Sequence, residues 1–318
     1  MNVAIIGAGL IGKKRALAMP ANVNLKTFCD INEKKGQELT DEFGCNFEKD
    51  WKVVLNDKEI EAVFICTTNN YFAKISIEAI KAGKHISVEK PGAKNSKELE
   101  EVYKVFKKSK VVLQYGYNLR FHPAIIKAKE LVDCKKFGEI LFLRARYGHG
   151  GRLGYEKEWR FNKSISGGGE LLDQGSHLID LVNFFCGQME QIVGLKRNLF
   201  WKASVEDSAF FTLSNKKGQI AHLSATCIEW KNIFSLEIIL KKAKIQIDGL
   251  GGSYGKEKMT LYKMKPEMGL PDMEQFTFDE DSSWNNEIEF FLDRIKRSDF
   301  NDKSIQDAIY VLKTIEKL

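Results

Sequence analysis

Asp173 and His177 lie four residues apart in the stretch Ser166–Val182, SGGGELLDQGSHLIDLV, a spacing that puts both on one face of a helix. Histidine titrates near neutral pH, and a carboxylate beside it can orient the ring or bind a hydroxyl, so the pair suits proton transfer. Three glycines, Gly167 to Gly169, lead into the pair and Gly175 sits inside it. Glycine within a helix costs about 1 kcal/mol relative to alanine, so a reason is required. The run is expected to let the chain pass close to a ligand, and Gly175 to remove a side chain where the helix meets another backbone or that ligand. Two plainer readings stay open here. Asp173 could cap or pair locally, and a histidine and a carboxylate at this spacing also occur at metal sites. A metal needs further ligands and none lies nearby in the sequence, so no metal is expected.

A second constellation opens the chain. The apolar run Val3–Ile6 leads directly into Gly7-Ala8-Gly9-Leu10-Ile11-Gly12 and a helical stretch from Lys13 to Met19. In that context the three glycines supply a tight turn, room for a pyrophosphate at the backbone, and close packing of helix on strand. Free N–H groups at the helix start, with Leu10 and Ile11 between the glycines, face the phosphates. A second strand, Leu25–Cys29, ends at Asp30, close to the ~20-residue offset at which an acid takes the ribose hydroxyls of a dinucleotide. Asp30 repels a 2′-phosphate, which favours NAD, while Lys34 and Lys35 keep NADP as the second option. Capping a helix that begins near Glu33 is the plainer role for Asp30.

Alternating elements must position these groups. Helices are expected at 33–43, 71–82 and 96–107, the last opened by Asn95 with Glu98, and strands at 62–66, 85–88 and 111–115. Repeated βα units give a doubly wound parallel sheet, whose ligands sit beyond the carboxyl ends of the strands. That places Thr67, Thr68 and Asn69, then Glu89 and Lys90, then Asn118, at the nicotinamide end. Pro91 holds Lys90 in an extended or turn conformation. After His122-Pro123 comes a helix over 124–132, then strand candidates at 139–147, 191–200, 207–213, 219–227, 234–240, 243–248 and 258–264. Short turns at 215–218 and 249–252 join neighbours, which implies an antiparallel sheet. Two closing helices follow, one striped by Trp284, Ile288, Phe291, Leu292 and Ile295, the other opened by Ser304 with Asp307.

Bulk properties bound the class. The 318 residues suggest two domains at about 100–200 residues each, split at 1–119 and 120–318. With 43% hydrophobic and 29% charged residues and no apolar run of membrane-spanning length, the chain reads as a globular cytoplasmic protein with no membrane association. The apolar start has no basic leader and no cleavage site behind it. Six scattered cysteines show no metal-ligand spacing, which fits reduced thiols. A net charge of +6 is spread along the chain without interleaved aromatic residues, so no nucleic-acid partner is expected.

GAGLIG at the amino terminus, AGKHISVEKP at residues 82–91, YNLRFHP at 117–123 and GGGELLDQGSH at 167–177 occur in this order. With them the chain resembles the glucose-fructose oxidoreductase, inositol dehydrogenase and rhizopine catabolism (Gfo/Idh/MocA) family over essentially its whole length. The resemblance implies an α/β Rossmann domain followed by an α+β domain with an open, largely antiparallel sheet. It also implies oxidation or reduction of sugars and polyols with NAD or NADP, a homodimer or homotetramer, and Lys90, Asp173 and His177 as catalytic residues. The chain departs from a frequent family pattern at Thr68 and Phe72, where a proline and a histidine are common.

Alcohol oxidation moves a hydride to the nicotinamide while the hydroxyl loses its proton, so it needs a base at that oxygen and a cation nearby. His177 is the expected acid/base, Asp173 the carboxylate that binds a substrate hydroxyl and tunes it, and Lys90 the cation, with the base role exchangeable between Lys90 and His177. Asn118, Arg120, Arg152, Tyr155 and Trp159, with Arg160, are the candidates for substrate selection, the glycine-rich stretch 148–155 offering an aromatic face and cations. His85, His122 and His222 are expected to be structural. The leading function is an NAD(P)-dependent dehydrogenase of a sugar, nucleotide sugar or polyol. The alternatives are a nicotinamide-sensing binding protein without chemistry, and a reductase of a non-sugar carbonyl or imine.

Overall fold

A computed structural model describes residues 1–318. In chain order the elements are β1 (Asn2–Ile6), α1 (Leu10–Leu17), β2 (Asn24–Cys29), α2 (Glu33–Phe43), β3 (Asn46–Glu48), α3 (Trp51–Asn56), β4 (Ala62–Ile65), α4 (Asn69–Lys81), β5 (His85–Glu89), α5 (Ser96–Phe106) and β6 (Leu113–Gly116). There follow α6 (Pro123–Asp133), β7 (Ile140–Gly148), α7 (Lys163–Ser166), α8 (Glu170–Asp173), α9 (Gly175–Cys186), β8 (Gln191–Arg197), β9 (Ser208–Ser214), β10 (Ile220–Thr226), β11 (Ile233–Leu240), β12 (Ala243–Asp248), β13 (Glu257–Lys263), β14 (Asp272–Phe278), α10 (Ser283–Lys296) and α11 (Lys303–Glu316). No helix is long and apolar enough to cross a membrane.

The chain forms two compact units. The first comprises Met1–Tyr117, Ser164–Gly167 and Trp284–Tyr310, the second Asn118–Lys163, Gly168–Ser283 and Val311–Leu318. In the first, six parallel strands run in the order β3-β2-β1-β4-β5-β6. The β4 sequence Ala-Val-Phe-Ile is buried throughout, as a strand covered on both faces must be. One cover is α10, whose Ile288 and Phe291 join Val3, Ile5, Phe28 and Phe64 in a common core, Phe291 meeting Phe64 edge-on at 5.5 Å. Strand order reverses between β1 and β4, the place where such sheets bind ligands.

In the second unit eight strands run β14-β13-β12-β11-β7-β10-β9-β8. All pairs are antiparallel except β7 with β10. β11 and β12 alternate buried and half-buried residues, as strands with one covered face do.

The structure corrects several boundaries. α1 starts at Leu10, three residues before the expected Lys13, because Gly9 rather than the end of the glycine motif is its cap. β3, α3 and β14 were not expected: β3 has three residues and one apolar side chain, and edge strand β14 is mostly exposed, so it shows no hydrophobic alternation. Ser304 does not cap α11. It lies within the helix and accepts from the Tyr115 N–H at 2.9 Å, while Asn301 accepts from the Lys303 N–H at 3.1 Å.

Candidate active site

The glycine motif forms a backbone cradle in the first unit. Gly7 has φ +112°, and a Cβ on it would lie 2.4 Å from the Cys66 carbonyl oxygen; one on Gly12 would lie 2.0 Å from that of Gly7. Both are therefore fixed as glycine by the protein's own backbone. Gly9 differs, since a Cβ there would meet nothing within 4 Å. It caps α1 with no side-chain hydrogen bond and no acid follows in the first turn, so the first N–H groups of the helix have no side-chain cap, and Gly9 and Leu10 are exposed where the helix opens. At the end of β2, Asp30 accepts from the Ala8 N–H at 2.7 Å and from the Asn32 N–H at 2.8 Å, one bond on each oxygen. Those bonds fix a carboxylate that retains lone pairs for a diol. The α2 cap is Asn32, which accepts from the Lys35 N–H at 3.1 Å, so Asp30 does not fill that role. Pyrophosphate donors, an open approach and a ribose acceptor together fit NAD.

At the ends of β4 and β5 several groups are committed within the first unit. Thr68 donates to the Asn70 side chain at 2.7 Å, and Thr67 to the Thr68 carbonyl at 3.3 Å. Asn69 is buried and donates to the Ser166 carbonyl at 2.7 Å, so its amide holds the 164–167 segment. Glu89 is part of a cluster the sequence did not disclose: Arg15 contacts Glu89 at 2.6 Å and Glu287 at 2.5 Å, with Trp284 stacked at 4.6 Å. Burial works against the Arg15 charge, yet Glu287 and Glu89 outweigh it and hold the guanidinium above its ordinary pKa. Lys90 follows Glu89 directly, so this cluster fixes the backbone from which the lysine projects. Nothing in the local sequence of α1 pairs Arg15 with β5 or α10; only the tertiary fold does.

In the second unit Asp173 and His177 do not share one continuous helix. α8 ends at Asp173, Gln174 links it to α9, and the His177 N–H bonds Gln174 at 3.1 Å. The glycine run packs against the chain itself: a Cβ on Gly169 would lie 2.0 Å from the Glu206 carbonyl oxygen, and one on Gly167 2.8 Å from the Cα of Lys94. A Cβ on Gly175 would lie 2.9 Å from the Leu171 side chain and 3.6 Å from the Ala225 Cβ of β10, so its nearest neighbours are side chains and not the other backbone or ligand expected.

Asp173 accepts from Arg160 at 3.2 Å, and Arg160 stacks on Trp159 at 4.7 Å. His177 is buried and meets the edge of Tyr147 at 5.7 Å. His149 accepts the Gly151 N–H on Nδ1 at 3.1 Å, and its Nε2 lies 3.3 Å from the Tyr155 hydroxyl and 3.7 Å from the buried Glu170. Tyr155 lies in a small aromatic core with Phe161 and Trp201. Burial, then Asp173 and Glu170, push its phenol far above the ordinary range. Arg152 is exposed and pairs with Glu158 at 2.6 Å. Arg120 lies elsewhere, in a two-pronged pair with Asp180 at 2.7 and 2.5 Å, and Asn118 reaches Ser283 at 3.4 Å. Tyr147, Tyr254 and Glu170 were missed by sequence reasoning. Tyr254 alone carried a signal, an aromatic residue among glycines.

Residues 1–117 match a family model described as an oxidoreductase family with the NAD-binding Rossmann fold, and residues 125–246 match the Gfo/Idh/MocA C-terminal domain. The chain belongs to the Gfo/Idh/MocA family. Relatives of this family member include levoglucosan dehydrogenase of Pseudarthrobacter phenanthrenivorans, 33% identical over 60% of the chain and 53% of that protein. Another is the myo-inositol 2-dehydrogenase of Thermotoga maritima, 28% identical over 69% of the chain and 66% of that protein. The chain thus aligns with about half to two thirds of the length of these curated relatives. Among solved structures, levoglucosan dehydrogenase in complex with NADH and levoglucosan superposes with a TM-score of 0.90 at 23% identity, covering 99% of the chain and 95% of the other. A 3-ketoreductase from Actinomadura kijaniata in complex with TDP-benzene and NADP reaches 0.85 at 18% identity, covering 99% and 96%. At these identities the superpositions show the fold.

Proposed function

We propose that this Gfo/Idh/MocA protein is an NAD-dependent dehydrogenase that oxidises a secondary hydroxyl of a sugar, nucleotide sugar or polyol. The observation that carries the reading is the placement in the second unit of a buried histidine, His177, in the first turn of α9, directly after the short helix α8 that ends at Asp173. The family relation and the dehydrogenase relatives support it.

A bound nicotinamide supplies the hydride acceptor. The chain's own residues do the rest. His177 takes the hydroxyl proton as the carbonyl forms, Asp173 holds a substrate hydroxyl and biases the histidine, and Lys90 supplies the positive charge that favours the developing alkoxide. Leu10, Ile11 and Gly12 give backbone donors to the pyrophosphate, and Asp30 takes the ribose diol and disfavours a 2′-phosphate. Trp159, Arg160 and Arg152 line the sugar-selecting side. We assign Arg120 to structure through Asp180. The second unit is also the oligomerisation surface in this reading: Leu195 and Phe210 stand directly opposite each other on β8 and β9 with their side chains exposed, and Val193 and Ile220 extend the same outer sheet face.

NADH formation at 340 nm across inositols, hexoses, anhydrohexoses, uronic acids and nucleotide sugars, with NAD or NADP supplied, tests the reading. Turnover that falls at least 100-fold in His177→Ala supports it. A wild-type protein that binds NADH and turns over none of the panel overturns it in favour of a binding protein. Light scattering tests the assembly, where a monomer rules out the oligomer.

A further inference from the structure

β12 and β13 pair with Asp248 opposite Lys258, a hairpin that two residues could close. The chain uses the longer segment 249–256 instead, and four of its glycines adopt left-handed backbone: Gly249 at φ +77°, Gly251 at +77°, Gly252 at +51° and Gly255 at +84°. The loop folds onto itself through Gly251 N–H to Gly255 O at 2.8 Å and Tyr254 N–H to Gly251 O at 3.1 Å, and Asn232 holds Ser253 at 2.6 Å. Its outcome is the position of one side chain. The Tyr254 ring returns onto Tyr147 at 5.4 Å between centroids, and Tyr147 in turn meets His177.

Resting on the dehydrogenase reading above, we infer that Tyr254 contacts the substrate, donating its phenolic proton to a hydroxyl or carbonyl oxygen of the sugar, and that Tyr147 is the positioning residue that aims it.

The chemistry of the pair supports this. The Tyr147 and Tyr254 phenols interact, and of their two protons only one can lie between the two oxygens, which leaves the other for a further acceptor. Burial first, with Glu170 and Asp173 adding to it, pushes the Tyr254 phenol up to about 12 although the bond from Tyr147 opposes the rise. Tyr254 therefore remains a donor throughout the neutral range. Each sugar hydroxyl both donates and accepts. Asp173 and Glu170 supply acceptors, and Tyr254 supplies the donor that carboxylates cannot.

The test uses the full chain, NAD and the best substrate of the panel with its monodeoxy analogues, in the wild type, Tyr254→Phe, Tyr147→Phe and the double variant. NADH binding and thermal melting are measured alongside. Tyr254→Phe is expected to lower kcat/KM by about 10- to 100-fold, mainly through KM, with NADH affinity and melting unchanged. Tyr147→Phe is expected to cost several-fold, and to add nothing in the double variant because it acts through Tyr254. One deoxy analogue should be handled equally by wild type and Tyr254→Phe. Values for Tyr254→Phe within twofold of wild type on every substrate overturn the inference, as do additive losses in the double variant. Wild-type protein that binds NADH but oxidises none of the panel overturns the dehydrogenase reading and this one with it.

Discussion

Two glycine-rich loops follow strands in this molecule, and they use glycine for opposite ends. At residues 7–12 the glycines remove side chains: Gly12 admits the Gly7 carbonyl, Gly9 stands over open space, and backbone N–H groups are what remains. At residues 249–255 the glycines supply left-handed turns, and what they produce is a placed side chain, Tyr254. The first kind of loop presents backbone and is recognisable from spacing alone. The second presents a side chain whose partner lies far away in the sequence, so its purpose is invisible until the fold is known.

The first loop rests on the buried cluster around Arg15. Replacing Arg15 by methionine leaves Glu89 and Glu287 buried without their cation, and is expected to cost about 3–5 kcal/mol in urea unfolding. A loss under about 1 kcal/mol would mean that the cluster does not brace α1. Gly9→Ala fills the open space above the α1 cap. Since nothing lies within 4 Å, melting should hold while NADH affinity falls about 10- to 100-fold, because the new methyl occupies the approach of the pyrophosphate. Unchanged NADH affinity would remove the cradle.

Gly255→Ala addresses the second loop. Its φ of +84° strains any other residue although the space around it is open, so about 1 kcal/mol of stability should be lost with NADH binding untouched and KM for the sugar raised. A weakened NADH affinity would erase the distinction between the loops. The smallest effect concerns pH. Burial holds His85 below the ordinary value of 6.5, and its Nδ1 accepts the Val112 N–H at 2.9 Å, so the fold prefers the neutral ring. The unfolded chain takes up this proton first as pH falls, so stability present above about 6.5 declines below it. The wild type should lose about 1–2 °C more in melting temperature between pH 7 and 5.5 than His85→Gln, and equal slopes would contradict the assignment.

Much of the first unit was legible because its signals are local. The apolar strands, the glycine spacing and Asn95, which accepts from the Glu98 N–H at 2.9 Å, each act within a few residues. Gly167 and Gly169 stand against Lys94 and Glu206 of the chain itself, contacts that the sequence does not distinguish from an approach to a ligand, because both need the same residue. Arg120, which the sequence offers to a substrate, holds Asp180 in the fold, a partner 60 residues away that no short-range pattern discloses.

Near neighbours in the chain were enough for the strongly patterned strands and helices, the dinucleotide cradle and the residue types able to move a proton, but not for β3, α3 and β14, since turn geometry, helix capping and strand patterning are local signals that those three elements lack. Only the tertiary structure decided which charges are spent on one another, as Arg15 on Glu89 and Glu287, and which aromatic residues meet, as Tyr254 and Tyr147 beside His177. Those contacts join residues of different strands and helices, and no short-range pattern encodes which of many possible partners the packed chain will choose.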